Sequence, residues 1–172
     1  TNSMAAIESA YHRTQSGSGQ IVGVVGRAGV GKSRFLLEFR NRLPQDEFVY
    51  LEGRCLYFGE STAYSPIVDI LNSYFDIKED DEEYFAKKKL EQAIPQSNDN
   101  PTNILTPLHD LLSLGVNDEA YFNLIPVDRR RRIFEALQDL LISICPNKPL
   151  ILVIEDLHWI DKTSEEFLDY LI

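Results

Sequence analysis

The sequence predicts an α/β domain with a parallel sheet and a helical insertion, and three observations support this prediction. An apolar run at 21–25 is followed by a helical pattern and then by a second strand-like run at 47–55. A third run, at 150–154, is rich in branched apolar residues and predicts a strand buried on both faces. Strands that alternate with helices are joined by right-handed crossovers, and they therefore form a parallel sheet.

Residues 1–56 are expected to supply the first half of the core. The elements predicted there are a helix over 4–13, a buried strand over 21–25, a helix over 33–43 and a strand over 47–55. Ile7 and Tyr11 form an i,i+4 apolar pair on the first helix, which the glycines of "QSGSGQ" end. Pro44 ends the second helix, because proline lacks the N–H that a helix interior needs.

Residues 57–128 are expected to form a helical insertion between the second and third strands. The helical patterns of this segment lie at 64–75, 81–94 and 103–115. Five acids at 79–83 precede the three lysines at 87–89, which predicts a solvated helix face with i,i+4 ion pairs. His109 lies on an amphipathic pattern and is interpreted as structural.

Residues 129–172 are expected to supply the second half of the core. A helix starts at Asp128, and its apolar stripe consists of Ile133, Leu137, Leu140, Leu141 and Ile144. The third strand follows, and a last helix begins within "DKTSEEFLDYLI". The pattern leaves its N-cap open between Asp161 and one of Thr163 and Ser164.

Composition excludes several classes of protein. A chain of 172 residues with 44% hydrophobic residues is one domain's worth of globular sequence. Its net charge of −10 argues against a nucleic-acid surface, which needs excess Lys and Arg. We expect no membrane span and no leader. Cys55 and Cys145 have no paired spacing, so we expect two reduced thiols in a cytoplasmic protein.

The first chemical motif is "GRAGVGKS", Gly26 to Ser33, which matches G-x-x-x-x-G-K-[ST] between a predicted strand and a predicted helix. Its glycines permit a close approach of N–H groups to an anion at the helix N-terminus. Lys32 is expected on the β- and γ-phosphates, and Ser33 on Mg²⁺. The residues predicted to contact the nucleotide are Gly26, Arg27, Ala28, Gly29, Val30, Gly31, Lys32, Ser33 and Arg34.

The second motif is the acidic end of the third strand, "ILVIEDLHWID" at 151–161. Buried acids are costly unless a cation meets them, and Mg²⁺ beside a triphosphate needs hard oxygen ligands. Glu155 is expected on the metal side, with Asp156 orienting or deprotonating the attacking water; the reverse assignment stays open. The predicted metal ligands are Ser33, Glu155 and Asp156, and the predicted catalytic residues are Lys32, Glu155 and Asp156.

Two further groups of residues are interpreted without a direct role in the chemistry. His158 and Trp159 are expected to pack and hydrogen-bond below the site, with a role in relaying the nucleotide state as the alternative. Arg129 to Arg132 stand in a helix's first turn, where cations oppose the helix dipole. We expect these arginines to pair with the acidic surface.

Three stretches resemble the AAA-type ATPase module of STAND proteins: "GQIVGVVGRAGVGKSRFLLEFRNRL", "YLEGRCLYFGESTAYSPIVDIL" and "PLILVIEDLHWIDKTSEEFLDYL". More narrowly, they are similar to the origin-recognition-like domain of bacterial adenylate/guanylate cyclases, of LuxR/MalT-type activators and of proteins with Ser/Thr kinase domains. The resemblance implies an additional-strand P-loop fold with three α/β/α layers. It also implies ATP and Mg²⁺ bound by 26–33 and by Glu155 or Asp156, with slow hydrolysis that switches a multidomain protein.

The same resemblance predicts that the chain is truncated at both ends. The family's G-R-E-x-E-L segment precedes Met4, and its sensor strand, last strand, helical part and winged helix follow Ile172. The absent fourth strand lies between the first and third. The first strand is therefore expected to pair directly with the third, to leave a gap, or to have the gap filled by another molecule.

Three functions follow as hypotheses. The preferred one is a module that binds and hydrolyses ATP and regulates a larger bacterial signalling protein, with other domains of the same polypeptide as partners and self-association as a further contact. The alternative is a nucleotide-binding switch with negligible turnover. The third is a small-molecule kinase with its lid in 57–128, which the adjacent acids and "EDLHW" disfavour. The isolated chain is expected to hydrolyse ATP weakly or not at all, because sensor and arginine groups are absent from it.

Overall fold

The computed structural model of the protein describes residues 2–57, 62–94 and 102–172. Within these ranges the elements, in chain order, are α1 (Asn2–Thr14), α2 (Lys32–Arg42), β1 (Val49–Arg54), α3 (Ser65–Tyr74), α4 (Glu83–Ala93), α5 (Thr102–Leu111), α6 (Glu119–Phe122), α7 (Pro126–Ile144), β2 (Leu150–Glu155) and α8 (Lys162–Leu171). A 3₁₀ turn at Leu157–Trp159 precedes α8. The mixture of helices and strands confirms the predicted α/β class.

The chain divides into two compact units, Thr1–Tyr50 with Asn147–Ile151 and Leu51–Pro146 with Leu152–Ile172. The first unit has an apolar core from α1, α2 and the residues that follow α2. Its buried members are Met4, Ile7, Tyr11, Phe39, Leu43 and Phe48. The rings of Phe39 and Phe48 meet the Tyr11 ring edge-on, with centroids 6.4 and 6.3 Å apart. The predicted Ile7–Tyr11 stripe is therefore the face that α1 buries.

The second unit contains α3 to α8, and its fullest packing joins α5 to α7. Leu108 on α5 and Leu137 and Leu140 on α7 are almost completely buried. Phe134 of α7 packs on Phe167 of α8 with ring centroids 5.3 Å apart. The predicted stripe of α7 is confirmed in its first three members, whereas Leu141 and Ile144 are half-buried.

The sheet pairs β1 with β2. The backbone N–H of Val49 donates to the Pro149 carbonyl at 2.9 Å, and that of Cys55 donates to the Glu155 carbonyl at 3.0 Å. Both bonds join residues with the same separation along the chain, which parallel strands allow and antiparallel strands do not. The predicted parallel sheet is confirmed for β1 and β2. The carboxyl ends of β1 and β2 therefore lie side by side.

The predicted strand over 21–25 is wrong. These residues form neither a strand nor a helix, and the side chains of Ile21 and Val25 are 74% and 97% exposed. An apolar run becomes a strand when a neighbour takes its backbone hydrogen bonds and a layer covers its side chains. In the described ranges the sheet consists of β1 and β2, so this segment pairs with neither. The direct pairing of the first and third predicted strands accordingly does not occur.

Most predicted helices are confirmed, with shifts at their ends. α7 begins at Pro126 and not at Asp128, because proline is favoured in a first helical turn. The side chain of Asp161 caps α8 by accepting from the Ser164 N–H, so the alternative caps at Thr163 and Ser164 were wrong. The short helix α6 was not predicted from the sequence.

The acidic and basic runs pair as expected around α4. Lys87 Nζ lies 2.6 Å from Glu83 Oε1 in an i,i+4 pair. Lys89 Nζ lies 2.6 Å from Asp81 Oδ2. The Lys78 backbone N–H, which has the larger effect, and the Lys89 ammonium both lower the pKa of the Asp81 carboxyl. Glu83 is exposed, whereas Lys87, Lys89 and Asp81 are partly buried.

Candidate functional site

The motif's loop, residues 26–31 and called the phosphate loop below after the predicted motif, lies in the first unit as an exposed turn that leads into α2. The Val30 N–H donates to the Arg27 carbonyl at 3.3 Å and closes the turn. Gly29 (φ 76°) and Gly31 (φ 96°) adopt left-handed backbone angles. Glycine has no Cβ to clash there, so these two residues let the loop turn without strain.

At position 26 the small room for a Cβ, and not the backbone angle, favours glycine. A Cβ built at this position would lie 2.8 Å from Val30 Cγ1, closer than side chains approach. The start and end of the loop thus approach each other closely because residue 26 has no side chain.

Lys32 is the first residue of α2 and is half-buried. Its Nζ donates to the carbonyls of Gly26 and Arg27 at 3.2 and 3.4 Å, so the ammonium lies over the loop. These carbonyls are neutral, and a charged phosphate oxygen is a stronger acceptor for an ammonium. The ammonium of Lys32 is thus held by the first two residues of the turn, Gly26 and Arg27.

The start of α2 adds further donors. The helix runs for 11 residues, and no side chain caps its N-terminus. Its first N–H groups and its dipole therefore favour an anion at this end. Ser33 is exposed in this first turn, whereas Arg34 forms an exposed ion pair with Glu38 at 3.0 Å.

The two acids lie in the second unit, where β2 ends. Glu155 is the last residue of the strand and is 8% exposed. Asp156 is half-exposed and adopts a left-handed conformation (φ 55°, ψ 41°), which Asp tolerates better than most residues. The chain therefore turns sharply after Glu155, and the two adjacent carboxylates differ in burial.

Arg54, at the end of β1, contacts both acids. Its Nη2 lies 2.7 Å from Glu155 Oε2, and its Nε lies 3.8 Å from Asp156 Oδ2. The hydrogen bond to Glu155 is the largest cause that raises the pKa of the guanidinium. This cation offsets the cost of burying the Glu155 carboxylate.

The segments that follow β1 and β2 are joined at successive points. The Tyr57 and Trp159 rings meet edge-on with centroids 4.4 Å apart. Asp161 accepts hydrogen bonds from the N–H groups of Tyr64 and Ser65 at 3.0 and 3.2 Å. Cys55, the residue after β1, is buried, and burial, with smaller effects of Asp161 and Asp156, raises the pKa of its thiol to about 11.

The histidines and arginines discussed in the sequence analysis make packing contacts and ion pairs. His158 is exposed and packs on Trp159, with ring centroids 4.7 Å apart. Burial is the main cause that lowers the pKa of His109 on α5. Arg130 lies 2.6 Å from Glu166, and Arg131 lies 3.1 Å from Asp128, so the expected pairing with acidic groups is confirmed for both.

The structure brings together each half of the predicted site within one unit. Gly26 to Ser33 form the loop and helix start of the first unit, and Glu155 and Asp156 stand together in the second. The convergence of Lys32 with the two acids on one ligand stays a prediction. Among the residues that the structure describes, no three His, Cys, Asp or Glu side chains cluster as a self-sufficient metal site.

Two features of the acidic region were not predicted from the sequence. The sequence analysis assigned Arg54 only to a strand and gave it no role at the site, although it is the last residue of the neighbouring parallel strand. The double role of Asp161, which caps α8 and also binds the start of α3, was likewise missed. The signal for Arg54 was its place at the carboxyl end of β1, where parallel strands bring their last residues to one edge.

No helix in the described ranges is both long and apolar enough to cross a membrane. No solved structure matches the chain.

The profile of the family described as AAA ATPase domain matches residues 1–172. The chain is also similar to an uncharacterized protein of Rhizobium meliloti (strain 1021), with 25% identity over 167 residues. That match covers 97% of this chain and 16% of the relative, so the chain spans about one sixth of the relative's length. On the match over its whole length, which includes the phosphate loop and the acidic strand end, the chain belongs to the AAA ATPase domain family.

Proposed function

We propose that this chain binds ATP together with Mg²⁺ and that, in the intact protein, it hydrolyses the nucleotide slowly to regulate a larger bacterial signalling protein. The observation that supports nucleotide binding best is the position of the Lys32 ammonium over the loop of residues 26–31. Membership of the AAA ATPase domain family points to the same activity.

The loop residues fit a phosphate group. Gly26 leaves room that a Cβ would fill, and the uncapped start of α2 presents N–H donors. Exchanging two neutral carbonyl acceptors of Lys32 for phosphate oxygens strengthens its hydrogen bonds. Arg27, Ala28, Gly29, Val30, Gly31 and Arg34 belong to the proposed nucleotide-contacting set through their places around this loop.

The acidic pair fits a magnesium ion. Mg²⁺ is commonly held by one or two carboxylates together with phosphate oxygens and water. Glu155 already binds a cationic group at 2.7 Å, and the proposed ligands are Glu155, Asp156 and the Ser33 hydroxyl. Bound Mg²⁺ would supply charge stabilisation at the transferring phosphoryl group.

The chain's own residues would act by positioning and by charge. Lys32 stabilises negative charge that develops on the β- and γ-phosphates, and the start of α2 adds its dipole. Glu155 would bind Mg²⁺ as a ligand. Asp156, which is half-exposed, orients or deprotonates the attacking water.

The wider setting belongs to the same proposal. A larger, multidomain polypeptide is part of the proposal, and a relative about six times longer than the match supports it. The cyclase or LuxR/MalT kind is proposed from the sequence resemblance alone. The three-layer, additional-strand arrangement is proposed for the complete fold. Two free cysteines, Cys55 and Cys145, support a cytoplasmic location.

Thermal unfolding with ATP–Mg²⁺, compared with ATP–EDTA, tests the binding step. Ligand at 100 times its Kd adds roughly 2.7 kcal/mol to the free energy of unfolding. We expect Lys32→Ala to abolish this gain, because it removes the cation over the loop. A melting curve that ATP–Mg²⁺ leaves unchanged in the parent chain would contradict the proposal.

Single-turnover hydrolysis in the intact protein tests the chemical step. Asp156→Asn should slow hydrolysis even when ATP–Mg²⁺ saturates the protein. Equal rates for the two proteins would remove Asp156 from the chemistry.

A switch with negligible turnover is the second candidate, and the contact of Arg54 with both acids favours it. In this arrangement Asp156 faces a cation, which competes with its role towards water. Under this alternative, Lys32→Ala abolishes ATP binding and activation, whereas Asp156→Asn leaves activation intact or raises it.

A further inference from the structure

Arg54 is a cation that contacts both carboxylates of the acidic pair. Its guanidinium bonds to the buried Glu155 at 2.7 Å and lies 3.8 Å from Asp156. We propose that Arg54 is the resident cation of the acidic pair, which must leave Glu155 before a divalent cation can bind there. This inference rests on the proposed function, because it concerns the same two carboxylates.

The competition follows from charge and geometry. A guanidinium stays protonated at any physiological pH, so Arg54 cannot leave by losing its charge. Two cations close to one carboxylate oxygen repel each other, most strongly where water is excluded. Glu155 is 8% exposed, so a metal at Oε2 and the guanidinium at the same atom exclude each other.

The side chain of Arg54 can move without a change in the backbone of β1. Its backbone N–H donates to Asp69 Oδ2 at 3.1 Å, which ties the main chain to α3. Its side chain is 57% exposed, so it can swing into solvent on a long flexible stem. The cation is therefore tethered but displaceable.

The consequence is a threshold for metal binding. Arg54 stabilises the acids before the ligand arrives, and it subtracts that stabilisation from the affinity of the metal. An ion pair with one exposed partner contributes up to about 1 kcal/mol, which corresponds to a roughly fivefold change in affinity.

A terbium titration without nucleotide tests this role. Tb³⁺ is a hard, oxygen-binding ion, and Trp159, the chain's single tryptophan, lies three residues after Asp156 and can sensitise its emission. Arg54→Gln should bind Tb³⁺ roughly fivefold more tightly than the parent chain. Added Mg²⁺ should displace the Tb³⁺ signal.

Matched variants separate this role from a general effect. Arg42→Gln removes an arginine of similar exposure (59%) that pairs with Glu8 at 3.2 Å, and it should leave Tb³⁺ affinity unchanged. Arg54→Lys keeps the charge without the forked donor, so its affinity should lie between those of Arg54→Gln and the parent. It also provides the test if Arg54→Gln does not fold.

The outcomes are decisive in both directions. Tightening that is lost when Glu155→Gln is combined with Arg54→Gln supports the resident cation. Unchanged Tb³⁺ affinity in both Arg54 variants, or equal tightening in Arg42→Gln, overturns it. Tightening in a chain that fails to bind ATP would refute the proposed function and leave the role of Arg54 standing.

Discussion

Replacing Asp161 by alanine should destabilise the protein more than replacing Asp118, whose side chain caps α6. The side chain is 3% exposed, and each of its oxygens accepts two hydrogen bonds. Oδ1 accepts from the N–H groups of Tyr64 (3.0 Å) and Ser164 (2.9 Å). Oδ2 accepts from the Ser65 N–H (3.2 Å) and the Ser164 hydroxyl (2.7 Å). One carboxylate therefore binds the starts of both α3 and α8.

The expected loss in the free energy of unfolding follows from these four hydrogen bonds. Loss of a helix cap costs about 1 kcal/mol, and a buried donor left without a partner costs roughly 1–3 kcal/mol. With two helix starts affected, Asp161→Ala should lower the free energy of unfolding by about 3–4 kcal/mol. Asp161→Asn retains one accepting oxygen, so it should lose about half of that amount.

Urea unfolding followed by Trp159 fluorescence and circular dichroism measures this loss. Asp118→Ala is the matched control, because Asp118 caps α6 through a single bond, to the Tyr121 N–H at 3.0 Å. The control should cost about 1 kcal/mol. Equal losses in Asp161→Ala and Asp118→Ala would refute the account of Asp161 as a double cap.

Two further predictions concern the loop and the buried thiol. Gly26→Ala places a Cβ 2.8 Å from Val30 Cγ1, so ATP affinity measured by fluorescence titration should fall roughly tenfold or more, whereas Gly19→Ala, with nothing within 4 Å, should not change it; equal affinities would contradict the tight loop. Burial raises the pKa of Cys55 from 9.0 to about 11, so the folded state holds this proton more tightly than the unfolded chain does. The resulting stabilisation is present below pH 9 and is lost as the pH rises towards 11, and unfolding of Cys55→Ala should show a flatter pH dependence over this window; identical slopes would count against burial as the cause.

The sequence predicts best those features that depend on near neighbours. The i,i+4 pair Ile7–Tyr11 and the stripe Ile133–Leu137–Leu140 place the buried faces of α1 and α7 correctly. Local spacing decides such faces, because a helix satisfies its own backbone hydrogen bonds. The turn of residues 26–31 is also local, and Gly29 and Gly31 adopt left-handed backbone angles there that glycine permits.

Features that depend on residues distant in the chain could not be predicted from the sequence. The run at 21–25 has strand composition, but a strand forms through a neighbour, and none in the described ranges pairs with it. The Arg54–Glu155 bond joins residues 101 positions apart. Its formation depends on the register of β1 against β2, which no local pattern specifies.

The central claim is that Lys32 and the acidic pair bind one ATP–Mg²⁺. A double-mutant cycle with Lys32→Ala and Glu155→Gln, measured as ATP–Mg²⁺ affinity by titration calorimetry, tests it most directly. Groups that share a ligand should show a coupling energy of at least about 0.5 kcal/mol, and this coupling should vanish when EDTA replaces Mg²⁺. Strictly additive losses in the two single variants, with or without Mg²⁺, would contradict the claim.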